Sequence, residues 1–316
     1  MSRILVTGTL AIDYTGRYAG RFRDLPRHEG INLSIELDRI ERRFGGCAMN
    51  IAYGLALLGH DPVPFVFVGD DHDADYAGHL KEVGIDSSGI VAVRGAAYSS
   101  HAFVFTDRDG NQFTGFYPGP ARLPDFAERL AAFAGQRDFD YAVVAPDIAP
   151  NMIAAARVLN GLDVQFLCDP GQCLTDFTAA EARELVALSR ELIVNRFEYE
   201  TLRAYCGADP STDLDCLLVT TGPDGSSCGE VSVPAAPVTR VVDPTGCGDA
   251  YRTGFVHARL LGAPLVEAMR AGACVAAIKI ETDGTQRHRL DHFAERYAAA
   301  WGQTPAWFGA TEGQHS

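Results

Sequence analysis

Six short apolar runs do most to limit what this chain can fold into. They lie at 4–10, 64–68, 141–145, 164–168, 192–194 and 217–220. Short, continuously apolar runs suit strands covered on both faces of a parallel sheet. Helical patterns stand between them, at 47–58, 74–83, 148–159, 178–188 and 196–205. Strand alternating with helix predicts an α/β fold: a doubly wound, mostly parallel sheet with helices on both faces. The last third turns helical, at 249–261, 264–280 and 291–301. A chain of 316 residues, 47% of them hydrophobic, can bury the core that one such domain needs.

Two stretches break the rhythm. Residues 14–40 are rich in Arg, Gly and aromatics without a helix period. Residues 97–118 alternate apolar and polar positions around Asp109-Gly110, a good hairpin turn. Both read as antiparallel strands outside the main sheet. The tail, 310–316, is small and polar and reads as frayed.

A net charge of −14 argues against a polyanion-binding surface, so nucleic acid is not an expected partner. Eight cysteines form no CxxC pair, which predicts reduced, mostly buried thiols in a cytoplasmic protein without structural zinc. The opening MSRILVTGTLAID reads as a first strand and not a signal peptide. No stretch reaches membrane-spanning length.

The chemistry concentrates in DPTGCGDAYRTG, 243–254. Gly246, Cys247 and Gly248 lead into a helix, where unpaired N–H groups and the helix dipole favour an anion. Asp249 follows at once. Beside a phosphate cradle its carboxylate suits a general base that takes a hydroxyl proton. A Gly-rich turn with Asp at the helix start is the structural alternative. Arg252, three residues on, either touches a phosphate or pairs with a carboxylate.

Several other candidates follow strands, where α/β sheets bind ligands, and the rest open a helix or lie in the 97–118 stretch. Asp13 follows the first run and offers a carboxylate for a diol, or is a turn residue. Gly45 and Gly46 open GGCAMN, and Asn50 lies about one helical turn on, with an amide for a sugar hydroxyl. In NRFE, Asn195 and Glu198 share a helix face, which also fits a capping box. TTGPDG (Thr220, Gly222, Gly225) suits phosphate or ribose contact, or simply a turn. Asp169 begins DPGQ, placed to organise metal and phosphates. His101 and Phe116, in the 97–118 stretch, are candidates for bonding and stacking a base, or for packing. GLALLGH has P-loop glycine spacing but lacks the Lys and Ser/Thr, and no GxGxxG follows a strand.

Taken in order, the strand ending at Asp13, GGCAMN, NRFE, TTGPDG and DPTGCGD resemble the PfkB (ribokinase-like) family of sugar and nucleoside kinases. The family's usual signature is DTxGAGD; here Pro244 precedes Thr245, and Cys247 replaces the common Ala. The likeness spans nearly the whole chain and is strongest to bacterial nucleoside kinases of the adenosine-kinase-like branch. It rests also on INLS and FYPGP. The resemblance implies a ribokinase-like fold of one domain, with 14–40 and 97–118 as a small lid over the substrate. It implies an ATP-dependent kinase acting on a nucleoside 5′-hydroxyl, with a sugar as the alternative acceptor. A non-catalytic nucleoside-binding protein is the alternative of another class. By resemblance Asp13, Gly45, Gly46 and Asn50 hold the acceptor and Thr220, Gly222 and Gly225 belong to the ATP site. Asn195 and Glu198 lie near Mg²⁺ through its waters. K⁺ is implied near Val242, Pro244 and the segment after Ile280. A monomer or homodimer is expected.

Overall fold

The computed structural model describes residues 1–26, 33–72 and 74–310. Part of the 14–40 stretch, half of INLS and nearly all of the 310–316 tail lie outside the described residues.

The chain opens with β1 (Arg3–Thr7), β2 (Ala11–Tyr18), β3 (Leu37–Gly45) and α1 (Cys47–Leu57). Then come β4 (Asp61–Val68), α2 (Ala74–Val83), β5 (Ile90–Ala92), β6 (Ser100–Thr106), β7 (Gln112–Tyr117) and α3 (Phe126–Ala134). The middle holds β8 (Tyr141–Val144), α4 (Ala149–Gly161), β9 (Phe166–Cys168), α5 (Ala179–Leu188), β10 (Glu191–Asn195) and α6 (Arg196–Cys206). The remainder comprises β11 (Cys216–Thr220), β12 (Ser226–Cys228), β13 (Val231–Val233), α7 (Cys247–Leu260), α8 (Leu265–Ile280) and α9 (Phe293–Trp301).

Among the described residues nine strands form one sheet, in the order β13-β12-β11-β10-β9-β8-β1-β4-β5. Its strands from β11 to β5 run parallel, and β12 and β13 add an antiparallel edge. Alternate side chains of β1 go to opposite cores. Ile4 and Val6 pack with α1, α7 and α8, whereas Leu5 packs with α3, α4 and α5. That two-sided burial is why the strands read as unbroken apolar runs. From β1 the chain first adds β4 and β5 on one side, then crosses to β8 on the other. The switch in direction opens a crevice at the carboxyl ends of the strands.

The second sheet has four strands among the described residues, β3-β2-β6-β7. The course of the chain differs in places from the sequence expectation. The run 4–10 is not one strand. Gly8, at φ +138°, ends β1 against Ala145, and the chain turns outward into β2. Asp13 therefore sits within a strand of the small sheet and not in a loop after β1. The small sheet is also mixed: β2 pairs β6 in parallel, while β2–β3 and β6–β7 are antiparallel. The three-residue strands β5, β12 and β13 are too short to show a period, and α3 was not expected.

Candidate active site

The helix after DPTG begins on Gly246, which takes the left-handed φ of +76°. Within this turn Cys247 N–H donates to the Pro244 carbonyl at 3.2 Å, and Ala250 N–H to the Gly246 carbonyl at 3.0 Å. Cys247 thus differs from expectation, because its N–H already has an acceptor inside the turn. Among the described residues the N–H groups of Gly246, Gly248 and Asp249 have no backbone acceptor. They form the open end of a buried helix, where an anion is favoured.

Asp249 stands in that first turn and is buried. Its Oδ2 accepts from Asn50 Nδ2 at 2.7 Å. Burial pushes its pKa up to about 6, against the Asn50 hydrogen bond and the Arg252 charge, which lower it. Asn50 is held in turn. Its Oδ1 accepts from Gln286 Nε2 at 3.0 Å, and Gln286 also reaches the Tyr76 hydroxyl at 3.2 Å. Tyr76 donates to the Gly45 carbonyl at 2.7 Å. Asn50 therefore orients Asp249 and leaves only part of its amide for a sugar.

Asp13 faces this assembly from the small sheet. Burial raises its pKa to about 7; the Asp249 charge adds to the rise and Arg43 opposes it. Both glycines of GGCAMN are needed for close approach. A Cβ on Gly45 would lie 2.1 Å from the Asp13 carboxylate, and one on Gly46 would lie 2.4 Å from the Thr9 carbonyl. Gly46 also has φ +91°, which L side chains rarely adopt.

Behind Asp249 lies a second charged cluster. Arg252 donates from Nε and Nη2 to the two oxygens of Asp169, at 2.6 and 2.8 Å. Both side chains are almost wholly buried. So Arg252 pairs with a carboxylate, the second of its two readings. Glu198 is buried too, and burial followed by the Asp169 charge raises its pKa. Its Oε2 accepts from Asn195 N–H at 2.7 Å, while Asn195 Oδ1 accepts from Glu198 N–H at 2.9 Å. The capping box is real, and it fixes a carboxylate next to the Asp169–Arg252 pair.

TTGPDG forms a tight turn at the end of β11. Thr221 N–H donates to the Gly225 carbonyl at 2.8 Å. A Cβ on Gly225 would lie 2.1 Å from the Val233 carbonyl, so packing against β13 already demands glycine there. Gly222, at φ +61°, has open space around it. The Thr220 hydroxyl lies 3.4 Å from the Val194 carbonyl.

The two aromatic candidates separate. The register aligns Asp13 with Ala102 and Ala102 with Phe116, so Asp13 and Phe116 share a face, two strands or about 10 Å apart. Phe116 is 47% exposed. His101 is one residue out of step and lies on the other face, stacked on Tyr14 with ring centroids 5.8 Å apart. Its Nδ1 meets the Ser99 carbonyl at 2.9 Å. Tyr76, Gln286 and Lys279, which is fully buried, were missed from sequence. They are single polar residues in helices or loops, and no local pattern marks them.

A sequence model of the pfkB family of carbohydrate kinases matches residues 1–291. The chain belongs to that family. It is 32% identical over 285 residues to a nucleoside kinase of Methanothermobacter thermautotrophicus, covering 87% of this chain and 91% of that protein. A nucleoside kinase of Methanocaldococcus jannaschii is 28% identical over 301 residues, covering 90% and 93%. The solved structure of Burkholderia thailandensis nucleoside kinase in complex with inosine superposes with a TM-score of 0.86 at 31% identity, covering 96% of this chain and all of that one. The same protein in complex with ADP-inosine gives 0.82. This pfkB-family kinase has the ribokinase-like α/β fold. The family read from five ordered motifs is borne out.

Proposed function

We propose that this enzyme transfers the γ-phosphoryl group of ATP to the 5′-hydroxyl of a nucleoside. One observation carries the reaction type: a buried carboxylate, Asp249, sits in the first turn of a helix whose open N–H groups await an anion. The likeness to nucleoside kinases, one of them in complex with inosine, supports the acceptor.

In this reading Asp13 and Asn50 hold ribose hydroxyls, and Phe116 lies under the base, with the small sheet as a lid. Asp249 takes the proton of the 5′-hydroxyl as its oxygen attacks phosphorus. A pKa near 6 leaves the carboxylate ionised at neutral pH while keeping it a useful base. The N–H groups of Gly246 and Gly248 stabilise charge on the equatorial oxygens. Asn50, through Gln286 and Tyr76, keeps Asp249 pointed at the acceptor. The Thr220–Gly225 turn takes the nucleotide.

Mg²⁺ arrives as part of the donor, MgATP. The carboxylates of Asp169 and Glu198 outnumber the one guanidinium between them, which suits a hydrated cation held through water. Among the described residues no group of three His, Cys, Asp or Glu side chains converges as direct ligands. No helix of the described residues is long and apolar enough to cross a membrane.

The test is incubation of the purified protein with MgATP and inosine or adenosine, with products read by chromatography and phosphorus NMR. ADP and a nucleoside 5′-monophosphate are expected in equal amounts. Transfer to no nucleoside rejects the proposal.

A further inference from the structure

Lys279, in the last turn of α8, is fully buried. Its Nζ donates to the carbonyl of Asp243 at 2.7 Å and to the carbonyl of Thr282 at 3.2 Å. The Asp243 carboxylate lies 3.6 Å away. Asp243 is also the first residue of the loop that delivers the anion nest. Its N–H and that of Val242 are bonded to the Ile280 carbonyl, at 3.1 and 2.9 Å. Its carboxylate accepts from Thr245 and Gly284 N–H, both at 2.9 Å. One ammonium group therefore ties the end of α8, the segment after it and the loop running into Gly246.

This is the region where the family resemblance implies K⁺. A K⁺ site is a set of carbonyl oxygens that replaces the ion's water. Here carbonyls from both segments already converge on an ammonium with three donors. A second cation beside it would meet strong like-charge repulsion in a buried place. The residues present do not fit K⁺.

We propose that Lys279 is a tethered replacement for the monovalent cation, a positioning residue that holds the Asp243–Gly246 loop and frees the enzyme from any K⁺ requirement. The proposal rests on the kinase reading above. An ammonium is close to K⁺ in size, and at a helix C-terminus it also meets the negative end of the dipole. The charge acts on the loop and not on the reacting atoms.

The test measures nucleoside phosphorylation in choline buffers, with KCl, NH₄Cl or NaCl added. Wild-type rate should change less than about twofold with K⁺, and its Tm should not respond to K⁺ either. Lys279→Ala, which leaves room for an ion, should lose about tenfold or more in kcat with a smaller change in nucleoside KM. K⁺ or NH₄⁺ should restore rate and Tm, and Na⁺ should do so less. Marked K⁺ activation of the wild type overturns the proposal. So does a folded Lys279→Ala protein that no cation rescues. If Lys279→Ala does not fold in any salt, the wild-type titrations of rate and Tm decide alone. Failure of the kinase reading looks different, because then no salt yields phosphorylated nucleoside.

Discussion

The two sheets contribute to the site in opposite ways. The large sheet and its helices present Asp249, Asp169, Glu198 and Arg252, all buried and each held by a hydrogen bond or ion pair. The small sheet presents Asp13 from a half-buried strand, and along β7 only Gly115 is not exposed. Charge stabilisation needs groups already fixed when the reaction occurs, and burial supplies that. On the proposed reading, acceptor binding needs a surface that opens to admit the substrate, and a thin, exposed sheet suits that. The expectation is a division of labour: changes in the body affect turnover and stability, and changes in the small sheet affect binding.

Asp249→Asn gives the largest effect. Turnover should fall by about two to four orders of magnitude, as on loss of a general base. In the wild type kcat should fall below pH 6 as the carboxylate protonates, and the residual activity of the variant should lack that limb. Stability should move the other way. A raised folded-state pKa means stability is lost as pH rises through about 6, because a buried carboxylate must ionise. Asn carries no such charge, so thermal melts at pH 8 should find the variant no less stable. Near-native kcat would remove Asp249 from the base role.

Arg252→Ala comes next. It leaves Asp169 and Glu198 buried without their cation, which should cost about 3–5 kcal/mol of stability. Denaturant unfolding measures this. A loss below about 1 kcal/mol would mean that water reaches the cluster and that the body is not rigid there.

Asp13→Ala tests the other sheet. Above about pH 7, where Asp13 is ionised, a charge-assisted hydrogen bond is worth roughly 1.5–3 kcal/mol, so nucleoside affinity should fall accordingly while ATP affinity holds. Separate titrations check this, and equal losses for both ligands would break the division. Phe116→Ala is smallest. Stacking beyond burial is worth on the order of 0.5–1.5 kcal/mol, and an exposed side chain adds little to stability. A drop in Tm larger than the loss of affinity would make Phe116 a packing residue.

Much of this was legible in sequence because parallel sheets place ligands at strand ends. Asp169, Asn195 and Thr220 each lie at the carboxyl end of a strand or directly after it, where apolar runs stop. Asp13 stands out in sequence, but its place in β2 does not, since Gly8 breaks the first run with a φ that sequence does not display. The pairing of Arg252 with Asp169 spans 83 positions, and that of Asn50 with Asp249 spans 199. No local pattern reports such contacts. His101 failed for a different reason: two-residue periodicity assigns a face only once the register is known.

Acceptor choice is the point on which the whole account turns. The decisive measurement is kcat/KM for adenosine, inosine, guanosine and cytidine beside ribose, fructose and fructose 6-phosphate, at saturating MgATP, in wild type and Phe116→Ala. The account predicts that the best nucleoside exceeds every free sugar in kcat as well as in affinity, and that Phe116→Ala narrows the gap. A sugar or sugar phosphate that outranks every nucleoside would contradict it.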